Sequence, residues 1–576
     1  MKYTFAQYIS SKMLIDFIVK ERIKIAANKT LSQKTKKKKD SKEDSSSHEE
    51  SMSMADLICS MVPPRNKWRR LRKYSRGFLK SKEERNRASL KNTINYDLRK
   101  YREGISEAPD YLNNLIDFIG EIQDAIISTE PLDFKDSIKV IAQFKENDGD
   151  TAIYRPLSVY TSLKDKALIS MASAYLAHAF NPYLHEEILS YRPARNYHGK
   201  EAYATTGDDA IEGIVAFAKK HKDKQIYVAE CDIQKFYDII NHDVVLDCFK
   251  KLAEEAQIPE YSQVERILKA YLDSYSFYDN VMKYNEDEAF WLPYRKLQKK
   301  NAKNHCRFKW VSDDAFLTCY PSQEELDKAK TKLGVPQGGA LSCVVSNVVL
   351  NSVDKAVVNK EDPDLFFARY GDDIILAHID FEKCKAIMDS YVNSLSEHFL
   401  PHHPFKPLND CKDGEKTTKD FWNIKSKAPF LWGPGGGNAF EWVGFVGYEI
   451  RYTGETRLRL STWNKKFALI NKRYHACLLK DDPKNFGGYM SSNYKKIDGL
   501  SSSIKKMSAL DLNQYTSQQM KSLDRYRHTK IRRLQEKLTE RFEDQLFPRD
   551  LTKIYSNKNE DSAKYSFYRT LESIKK

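Results

Sequence analysis

The feature that most constrains the fold is a pair of adjacent acids between two strongly apolar segments. Gly371-Asp372-Asp373 separates the run LFFARY from the run IILAHI. Two apolar runs around a short Gly-Asp segment predict antiparallel strands joined by a tight hairpin. One acid beside glycine is ordinary turn chemistry, but two carboxylates between such strands repel each other and lose hydration unless a cation binds them. The segment therefore predicts a hairpin whose tip serves a metal ion.

A second Gly-Asp-Asp triplet, at residues 207–209, has a different context. It follows Thr205-Thr206 and opens the helical run AIEGIVAFAKK. Threonine and acids at a helix start accept hydrogen bonds from unpaired N–H groups and complement the helix dipole. We interpret this triplet as a helix cap.

A third acid lies in a setting like that of the hairpin. Asp232 ends the strand-like IYVAECD and precedes QKFYD. Three carboxylates at the ends of two strands can hold two Mg²⁺ ions about 4 Å apart, an arrangement that activates a hydroxyl and stabilises a leaving pyrophosphate. Acids at strand ends that bind nothing are the alternative, and spacing alone does not decide between the two.

The charge balance predicts an anionic partner. The 576 residues include 95 Lys+Arg and 80 Asp+Glu, a formal net charge of +15, and the length suits a multi-lobed enzyme. Nine cysteines without zinc-ligand spacing predict reduced thiols and no structural zinc. No segment approaches the roughly 20 apolar residues of a membrane span, and the start predicts an amphipathic helix rather than a signal peptide. We expect a cytoplasmic protein without a membrane partner.

Composition separates an N-terminal extension, residues 1–129, from the rest. Within it, residues 29–54 have almost no large apolar side chains and predict a disordered linker. Residues 63–80 place Trp68, Tyr74 and Phe78 among many arginines and lysines, which favours nucleic-acid binding, with a solvated basic helix face as the alternative. Apolar positions from Leu112 to Ile126 at three- and four-residue steps predict a helix with one buried stripe.

The remainder divides into a central body and a C-terminal lobe. Residues 130–455 alternate short strand-like runs with helical stretches, which predicts a mixed α/β body. Residues 456–576 are basic and predict a helical lobe. Residues 275–330, polar and aromatic without periodicity, stay unassigned.

Seven blocks of the central body resemble the motifs of prokaryotic reverse transcriptases, and they occur in the order found in that family. The blocks similar to motifs A, B and C are DIQKFYDIINHDVV (232–245), GVPQGGALSCVVSNVVLN (334–351) and RYGDDIIL (369–376). Two upstream blocks resemble fingers segments and two downstream blocks resemble motifs D and E: YRPLSVYTSLKDKALIS (154–170), SYRPARNYHGKEA (190–202), GEKT (414–417) and WVGFVGYEI (442–450). The resemblance covers roughly residues 150–455.

The resemblance implies an α+β right-hand polymerase with an N-terminal extension. Fingers and palm, the palm with an antiparallel sheet, would occupy residues 130–455, with an insertion at about 275–330, and a basic helical thumb would occupy 456–576. The metal ligands it implies are Asp232, Asp372, Asp373 and the backbone carbonyl of Ile233. They would hold two Mg²⁺ ions, with Mn²⁺ as an alternative.

The same resemblance implies a nucleotide site. Tyr237 matches the aromatic gate that excludes a 2′-hydroxyl, with a core aromatic as the alternative. Gln337 would contact the sugar and base, and Gly338, with its neighbour Gly339, would allow close backbone approach. Arg155 would grip the triphosphate, unless it forms a surface salt bridge. Lys416 would protonate the pyrophosphate, unless it is simply solvated.

The implied activity is RNA-directed DNA synthesis from dNTPs. Gly371 departs from the family, which more often has Ala or Val there, and the retron motifs, a zinc-ligand endonuclease tail and an RNase H constellation are not found. The chain therefore resembles stand-alone bacterial reverse transcriptases of the unknown groups, several of which defend against phage, some with a dedicated non-coding RNA. Template-independent or repeat-type DNA synthesis and an RNA-binding scaffold are the competing hypotheses. A protein partner or homo-oligomer is open, with residues 1–129 and 275–330 as candidate surfaces.

Overall fold

A computed structural model of the chain describes residues 3–36, 53–72, 82–197, 200–297, 305–358, 362–414, 416–435 and 439–478, with positions 521–522, 525–526, 529 and 533. The chain divides into two compact units. The first unit consists of Met1–Ala204, Ile233–Val358 and Ser390–His402, and the second of Thr205–Asp232, Asn359–Asp389 and His403–Lys576. Residues 37–52 of the predicted linker, 73–80 of the basic segment and most of the predicted thumb beyond 478 lie outside the described residues.

Helices and strands alternate through most of the described chain. The helices are α1 (Phe5–Tyr8), α2 (Ser11–Lys36), α3 (Met54–Ser60), α4 (Lys82–Arg102), α5 (Asp110–Ile127), α6 (Leu163–Phe180), α7 (Gly207–Lys220), α8 (Phe236–Ile239), α9 (His242–Glu255), α10 (Tyr261–Asp273), α11 (Phe277–Asn280), α12 (Glu288–Leu297), α13 (Asp313–Phe316), α14 (Gln323–Ala329), α15 (Ala340–Asp354), α16 (Phe381–Glu397), α17 (Lys419–Asn423) and α18 (Leu460–Leu478). The strands are β1 (Ile138–Asp148), β2 (Thr151–Tyr160), β3 (Arg195–Tyr197), β4 (Lys200–Tyr203), β5 (Tyr227–Asp232), β6 (His305–Phe308), β7 (Leu365–Tyr370), β8 (Asp373–His378), β9 (Phe405–Lys406), β10 (Lys412–Asp413), β11 (Lys416–Thr417), β12 (Ser426–Trp432), β13 (Ala439–Phe440), β14 (Trp442–Phe445), β15 (Tyr448–Arg451) and β16 (Thr456–Leu458).

In the first unit, the N-terminal extension packs on helix α6. The rings of Phe5 and Tyr175 lie 5.3 Å apart, and the Tyr175 hydroxyl donates to the carbonyl of Tyr3 at 3.1 Å. Lys166 forms a 2.6 Å ion pair with the buried carboxylate of Glu21 on α2. The predicted N-terminal helix is present, and the predicted stripe is buried on α5 from Leu112 to Ile126.

Two details of the extension differ from the sequence-based interpretation. Helix α2 continues to Lys36, so residues 29–36 of the predicted linker are helical, and their lysines, glutamine and leucine are good helix formers. Trp68 is buried rather than available for stacking on a base. Its indole N–H donates to the carbonyl of Pro63 at 2.8 Å, and the Arg65 guanidinium lies 4.1 Å from its ring. The ring is therefore part of the local core.

The segment 275–330, unassigned from sequence, completes the core of a three-stranded sheet in the first unit. Strands β1 and β2 form an antiparallel hairpin, and β6 adds to β2 in parallel. One hydrophobic cluster packs residues of the β1–β2 hairpin against residues of this segment. The hairpin contributes Ile138, Val140, Ala152 and Tyr154, and the segment contributes Tyr275, Phe277, Val281, Trp291, Cys306 and Phe308. The aromatic side chains that obscured any periodicity are the ones that fill this core.

The second unit is built on a six-stranded sheet. Its order is β13-β12-β5-β8-β7, with β9 paired to β12. Strands β12, β5, β8 and β7 pair antiparallel, which confirms the predicted antiparallel sheet and the α+β class. Helix α7 packs against this sheet through Phe217, whose ring lies 5.8 Å from that of Phe366. The predicted strands end at residue 455, but strand β16 follows directly after it. This strand pairs with β15, and its residues Thr456 and Leu458 are buried there.

None of the helices in the described residues is both long and apolar enough to cross a membrane. The eight cysteines whose side chains are described are free thiols, and most of them are buried.

Candidate active site

Three strands of the second unit bring the predicted acids to one place. Asp232, the last residue of β5, pairs with Asp373, the first residue of β8, and Asp373 also pairs with Tyr370 of β7. Gly371 and Asp372 form the two-residue turn, in which Gly371 has φ +73°, a conformation that favours glycine. The predicted hairpin is confirmed, and the three carboxylates occupy adjacent strand ends.

A buried arginine stabilises this turn through a hydrogen bond. Arg369 on β7 is fully buried, and its guanidinium donates to the carbonyl of Gly371 at 3.1 Å. A buried charge costs free energy unless it is well paired. The hydrogen bond from Arg369 links the hairpin tip to strand β7. The geometry of the tip is therefore held by more than the turn itself.

The acids repel one another. Desolvation of the carboxyl group, followed by the charges of Asp372 and Asp232, raises the pKa of Asp373 to about 7. Asp373 as a whole is exposed, so the repulsion by the two neighbouring carboxylates is the stronger reason for a shift in this direction. This corner of the second unit therefore favours either a proton or a cation.

A lysine that sequence reasoning missed supplies positive charge in this structure. Lys425 lies directly before β12, and its Nζ is 2.7 Å from Oδ2 of Asp232. Partial burial lowers the pKa of Lys425, but the bond to Asp232 and the charges of Asp373 and Asp372 outweigh it, so the pKa is raised. The backbone N–H of Asp232 donates to Ser426 at 3.1 Å, and His403 lies 3.8 Å from the carboxylate.

The sequence pattern pointed instead to Lys416. That residue belongs to the short strand β11, and its side chain lies outside the described part of the structure. Lys425 could have been found as the cation just before the run SKAPFLW, but only if that run had been recognised as the strand beside β5. Motif spacing favoured Lys416, whereas strand pairing places Lys425 at the acids.

The donor set suits a hard divalent cation, although the acids do not converge as they stand. Among the described residues, no group of three or more His, Cys, Asp or Glu side chains is arranged to hold a metal ion. The Lys425 ammonium pairs with one acid, and mutual repulsion raises the pKa of another. Carboxylate oxygens are the ligands that Mg²⁺ prefers, and a bound cation would relieve that repulsion. The chemistry of the donors therefore suits the ion that the sequence predicts, whereas the described side chains are not arranged as a metal site in this structure.

The second Gly-Asp-Asp triplet caps a helix, as predicted. Thr206 and Asp209 form a reciprocal capping box at the start of α7. Asp208 accepts a hydrogen bond from the hydroxyl of Tyr448 at 3.0 Å. This triplet stabilises the second unit, so variants of it serve as controls for variants of the hairpin acids.

In the first unit, a hydrogen-bond network joins the segment after Asp232 to the Pro-Gln-Gly turn. Gln337 donates its side-chain amide to Asp238 at 2.5 Å, and its backbone carbonyl accepts from Ser158 of β2 at 2.9 Å. The N–H of Val335 donates to the carbonyl of Tyr237 at 2.8 Å. Two other chain segments, residues 237–238 and strand β2, thus fix the position of Gln337 and its turn.

Asp238 is a second residue that sequence reasoning missed. Its side chain is almost fully buried, and burial raises its pKa to about 6 against the opposing effects of Lys235, Gln337 and Arg155. The only sequence indication was its place beside Tyr237 within DIQKFYD. Its contact with Gln337 makes it a positioning residue for the turn.

The other predicted nucleotide residues also lie in the first unit. Tyr237 is half-buried and packs edge-on against Phe236 at 5.2 Å. Gly338 is exposed with φ +92°, and a Cβ at Gly339 would lie 2.7 Å from the hydroxyl of Tyr160. Ile233 is buried, and its backbone forms a bridge with that of His402. Both glycines are thus required by backbone conformation or by close approach.

Arg155 projects from β2 opposite Gln143 of β1 and is exposed. It forms no ion pair with a described residue, which argues against the alternative of a surface salt bridge. A guanidinium held on a strand without a carboxylate partner suits recognition of a phosphate.

Residues 145–407 match the family model of reverse transcriptase (RNA-dependent DNA polymerase). This stretch is a reverse transcriptase domain, the domain of RNA-directed DNA polymerases. The match contains Asp232, Asp372 and Asp373, and it ends before Lys425.

Solved structures similar to the chain include telomerases. Apo telomerase from Candida tropicalis aligns at 12% identity over 85% of this chain and 82% of its own, with a TM-score of 0.34. Its form truncated from the C-terminal domain aligns at 14% identity over 58% of this chain and 56% of its own, with a TM-score of 0.34. Candida albicans telomerase in complex with a fragment of telomeric RNA aligns at 12% identity over 86% and 78%, with a TM-score of 0.27. No curated protein matches the sequence.

Proposed function

We propose that the protein copies an RNA template into DNA by adding dNTPs to a primer 3′-hydroxyl at the hairpin acids. The observation that carries this proposal is the register that sets Asp232 opposite Asp373, within a reverse transcriptase domain. Acids at adjacent strand ends, one with a raised pKa, form an anionic corner suited to cation-assisted nucleotidyl transfer.

Asp232, Asp372, Asp373 and the backbone carbonyl of Ile233 would hold two Mg²⁺ ions, or Mn²⁺ in their place. Such ions, when bound, supply charge that favours an ionised 3′-hydroxyl and a leaving pyrophosphate. The carboxylates orient this charge, and Arg369 keeps the hairpin tip in shape.

The motif resemblance assigns the nucleotide contacts to four further residues. Tyr237 would exclude a 2′-hydroxyl, and Gln337, oriented by Asp238, would contact the sugar and base. Gly338 would leave room for the nucleotide, and Arg155 would bind its triphosphate.

Lys416 is the proton donor to the pyrophosphate that the motif resemblance implies, and we propose Lys425 as the alternative donor. Its ammonium already lies at the acids, and its raised pKa keeps the proton available at neutral pH. We expect Lys425→Gln to lower kcat by about a hundredfold, the usual scale for a lost general acid, with little change in KM.

Matched variants separate this role from simple charge. Lys425→Arg keeps the charge but does not release a proton, so it should be as slow as Lys425→Gln. Lys416→Gln should retain most of the wild-type rate in the same single-turnover assay. A larger loss in Lys416→Gln than in Lys425→Gln would return the role to Lys416.

Primer extension on a defined heteropolymeric RNA template tests the proposed activity. Synthesis should stop at the first template position whose complementary dNTP is withheld, and ribonucleotides should not substitute. Extension that ignores the missing dNTP would identify template-independent or repeat-type synthesis instead.

We further propose, from the motif resemblance, that this is a bacterial enzyme of antiphage defence working with a dedicated non-coding RNA. A cytoplasmic location fits its free thiols, which a reducing compartment would maintain. A protein partner or self-association is compatible with this role. Protection against phage in a bacterial host, lost on Asp372→Ala, would support the biological setting, and protection retained by that variant would contradict it.

A further inference from the structure

Four cationic side chains gather in the first unit, where Lys145, Arg155 and Lys309 interact electrostatically with Lys235. Lys235 lies 3.9 Å from the carboxylate of the buried Asp238 and is itself largely buried. Arg155 and Lys235 come from segments that resemble reverse transcriptase motifs, whereas Lys145 lies on β1 and Lys309 belongs to the segment 275–330.

Strand pairing explains how Lys309 arrives there. In the parallel register of β2 and β6, Ile153 pairs with Arg307 and Tyr154 with Phe308. Lys309 is the residue after Phe308, as Arg155 is the residue after Tyr154. Because Phe308 and Tyr154 both point into the core, strand alternation turns Lys309 and Arg155 to the opposite, exposed side.

A hydrogen bond connects Lys309 to the segment that resembles motif A. Lys235 has a left-handed backbone, with φ +52°, and its Nζ donates to the backbone carbonyl of Lys309. Burial lowers the pKa of Lys235, Asp238 opposes this, and Lys145, Lys309 and Arg155 lower it further. The cluster thus holds more positive charge than its buried carboxylate balances.

The remaining counter-charges are exposed. Lys309 lies 3.2 Å from Asp148, and Lys145 lies 3.0 Å from Glu146, both at the end of the β1–β2 hairpin. Exposed ion pairs of this kind contribute little stability, so a multivalent anion can displace them. An exposed face with several lysines and one guanidinium suits a polyphosphate, because lysine acts as a point charge beside the fork of arginine.

We propose that Lys309, carried by the inserted segment, is a further nucleotide-binding residue that joins Arg155, Lys145 and Lys235 in binding the polyphosphate of the incoming nucleotide. The proposal rests on the proposed function and deepens it. It gives the segment 275–330 a place in the nucleotide site through β6, in addition to its place in the core. A nucleic-acid backbone offers the same phosphate chemistry and is the competing source of the ligand.

The test compares the full-length protein with Lys309→Gln and with Lys328→Gln. Lys328 lies in the same segment, is exposed and pairs with Glu324 and Glu325 on its own helix, so it controls for the loss of a surface charge. Single-turnover addition gives the apparent Kd for dNTP and the maximal rate. Inhibition by inorganic tripolyphosphate and the Kd for primer–template are measured on the same proteins.

We expect Lys309→Gln to weaken apparent dNTP affinity about tenfold, or about 1.4 kcal/mol, with the maximal rate within about twofold. Tripolyphosphate should lose potency by a similar factor, while primer–template binding and all properties of Lys328→Gln stay near wild type. Unchanged dNTP affinity, or a loss confined to primer–template binding, would overturn the proposal.

A separate readout distinguishes this result from failure of the proposed function. If wild-type protein adds no nucleotide, binding of tripolyphosphate is measured by calorimetry instead. Binding that weakens in Lys309→Gln but not in Lys328→Gln supports the polyphosphate site without polymerase activity. Absence of tripolyphosphate binding in the wild type overturns the site.

Discussion

Replacing Asp372 with alanine is expected to reduce nucleotide addition at least about a thousandfold, which corresponds to about 4 kcal/mol of transition-state stabilisation. Asp372 lies in the turn that joins the paired residues Tyr370 and Asp373, where its carboxylate would help to hold the metal ions. Its removal takes away a ligand without opening the core, because the side chain is only partly buried. Single-turnover primer extension measures the loss.

The second Gly-Asp-Asp triplet provides the matched control. Asp208→Asn keeps an acceptor for the Tyr448 hydroxyl and should leave the rate within about twofold of wild type, and both variants should unfold near the wild-type temperature. Comparable losses in both variants would mean that the hairpin acids have no special role. A folded Asp372→Ala protein with substantial activity would remove them from the mechanism.

Divalent cations are expected to stabilise the protein much more at pH 8 than at pH 5.5. The folded protein raises the pKa of Asp373 to about 7, above the usual 3.8 of an unfolded chain. Between pH 3.8 and 7 the folded state binds more protons than the unfolded state, so without metal the contribution of Asp373 to stability decreases as the pH rises. That contribution is fully present below pH 3.8 and is lost as the pH rises through 7. A bound cation replaces the proton at high pH, whereas at low pH it must displace it.

Thermal unfolding with and without Mg²⁺, at both pH values, measures this difference. Asp373→Asn removes the titrating group, so it should be more stable than wild type at pH 8 without metal, and its Mg²⁺-dependent shift should vary less with pH. Asp238, which also has a raised pKa, contributes to the pH dependence without metal but not to the difference that Mg²⁺ makes. Equal Mg²⁺ shifts at both pH values in the wild type would contradict the assignment of Asp373 as a ligand.

Local patterns predicted the elements that are determined locally. The hairpin at Gly371 was predictable because its apolar runs, its turn residue and its paired acids all favour one structure, and the cap at Thr206 was predictable for the same reason. The helical stripe of α5 follows directly from its spacing. Motif order also predicted the reverse transcriptase domain.

Features that depend on pairing between distant segments were not predictable. Lys425 reaches Asp232 only because β12 pairs with β5 across nearly 200 residues of sequence. Asp238 meets Gln337 through a contact between segments 99 positions apart. The segment 275–330 lacks periodicity because its short elements each bury a few aromatic side chains against β1 and β2 rather than one continuous face. Such residues carry no local pattern from which their role can be inferred.

The central claim is that the hairpin acids copy RNA into DNA, and sequencing the product tests it most directly. The protein is purified with the RNA that it carries, supplied with Mg²⁺ and all four dNTPs, and compared with an Asp372→Ala/Asp373→Ala variant. We predict DNA complementary to the co-purified RNA, absent from the variant. A homopolymer or short repeat, or the same product from both proteins, would contradict the claim.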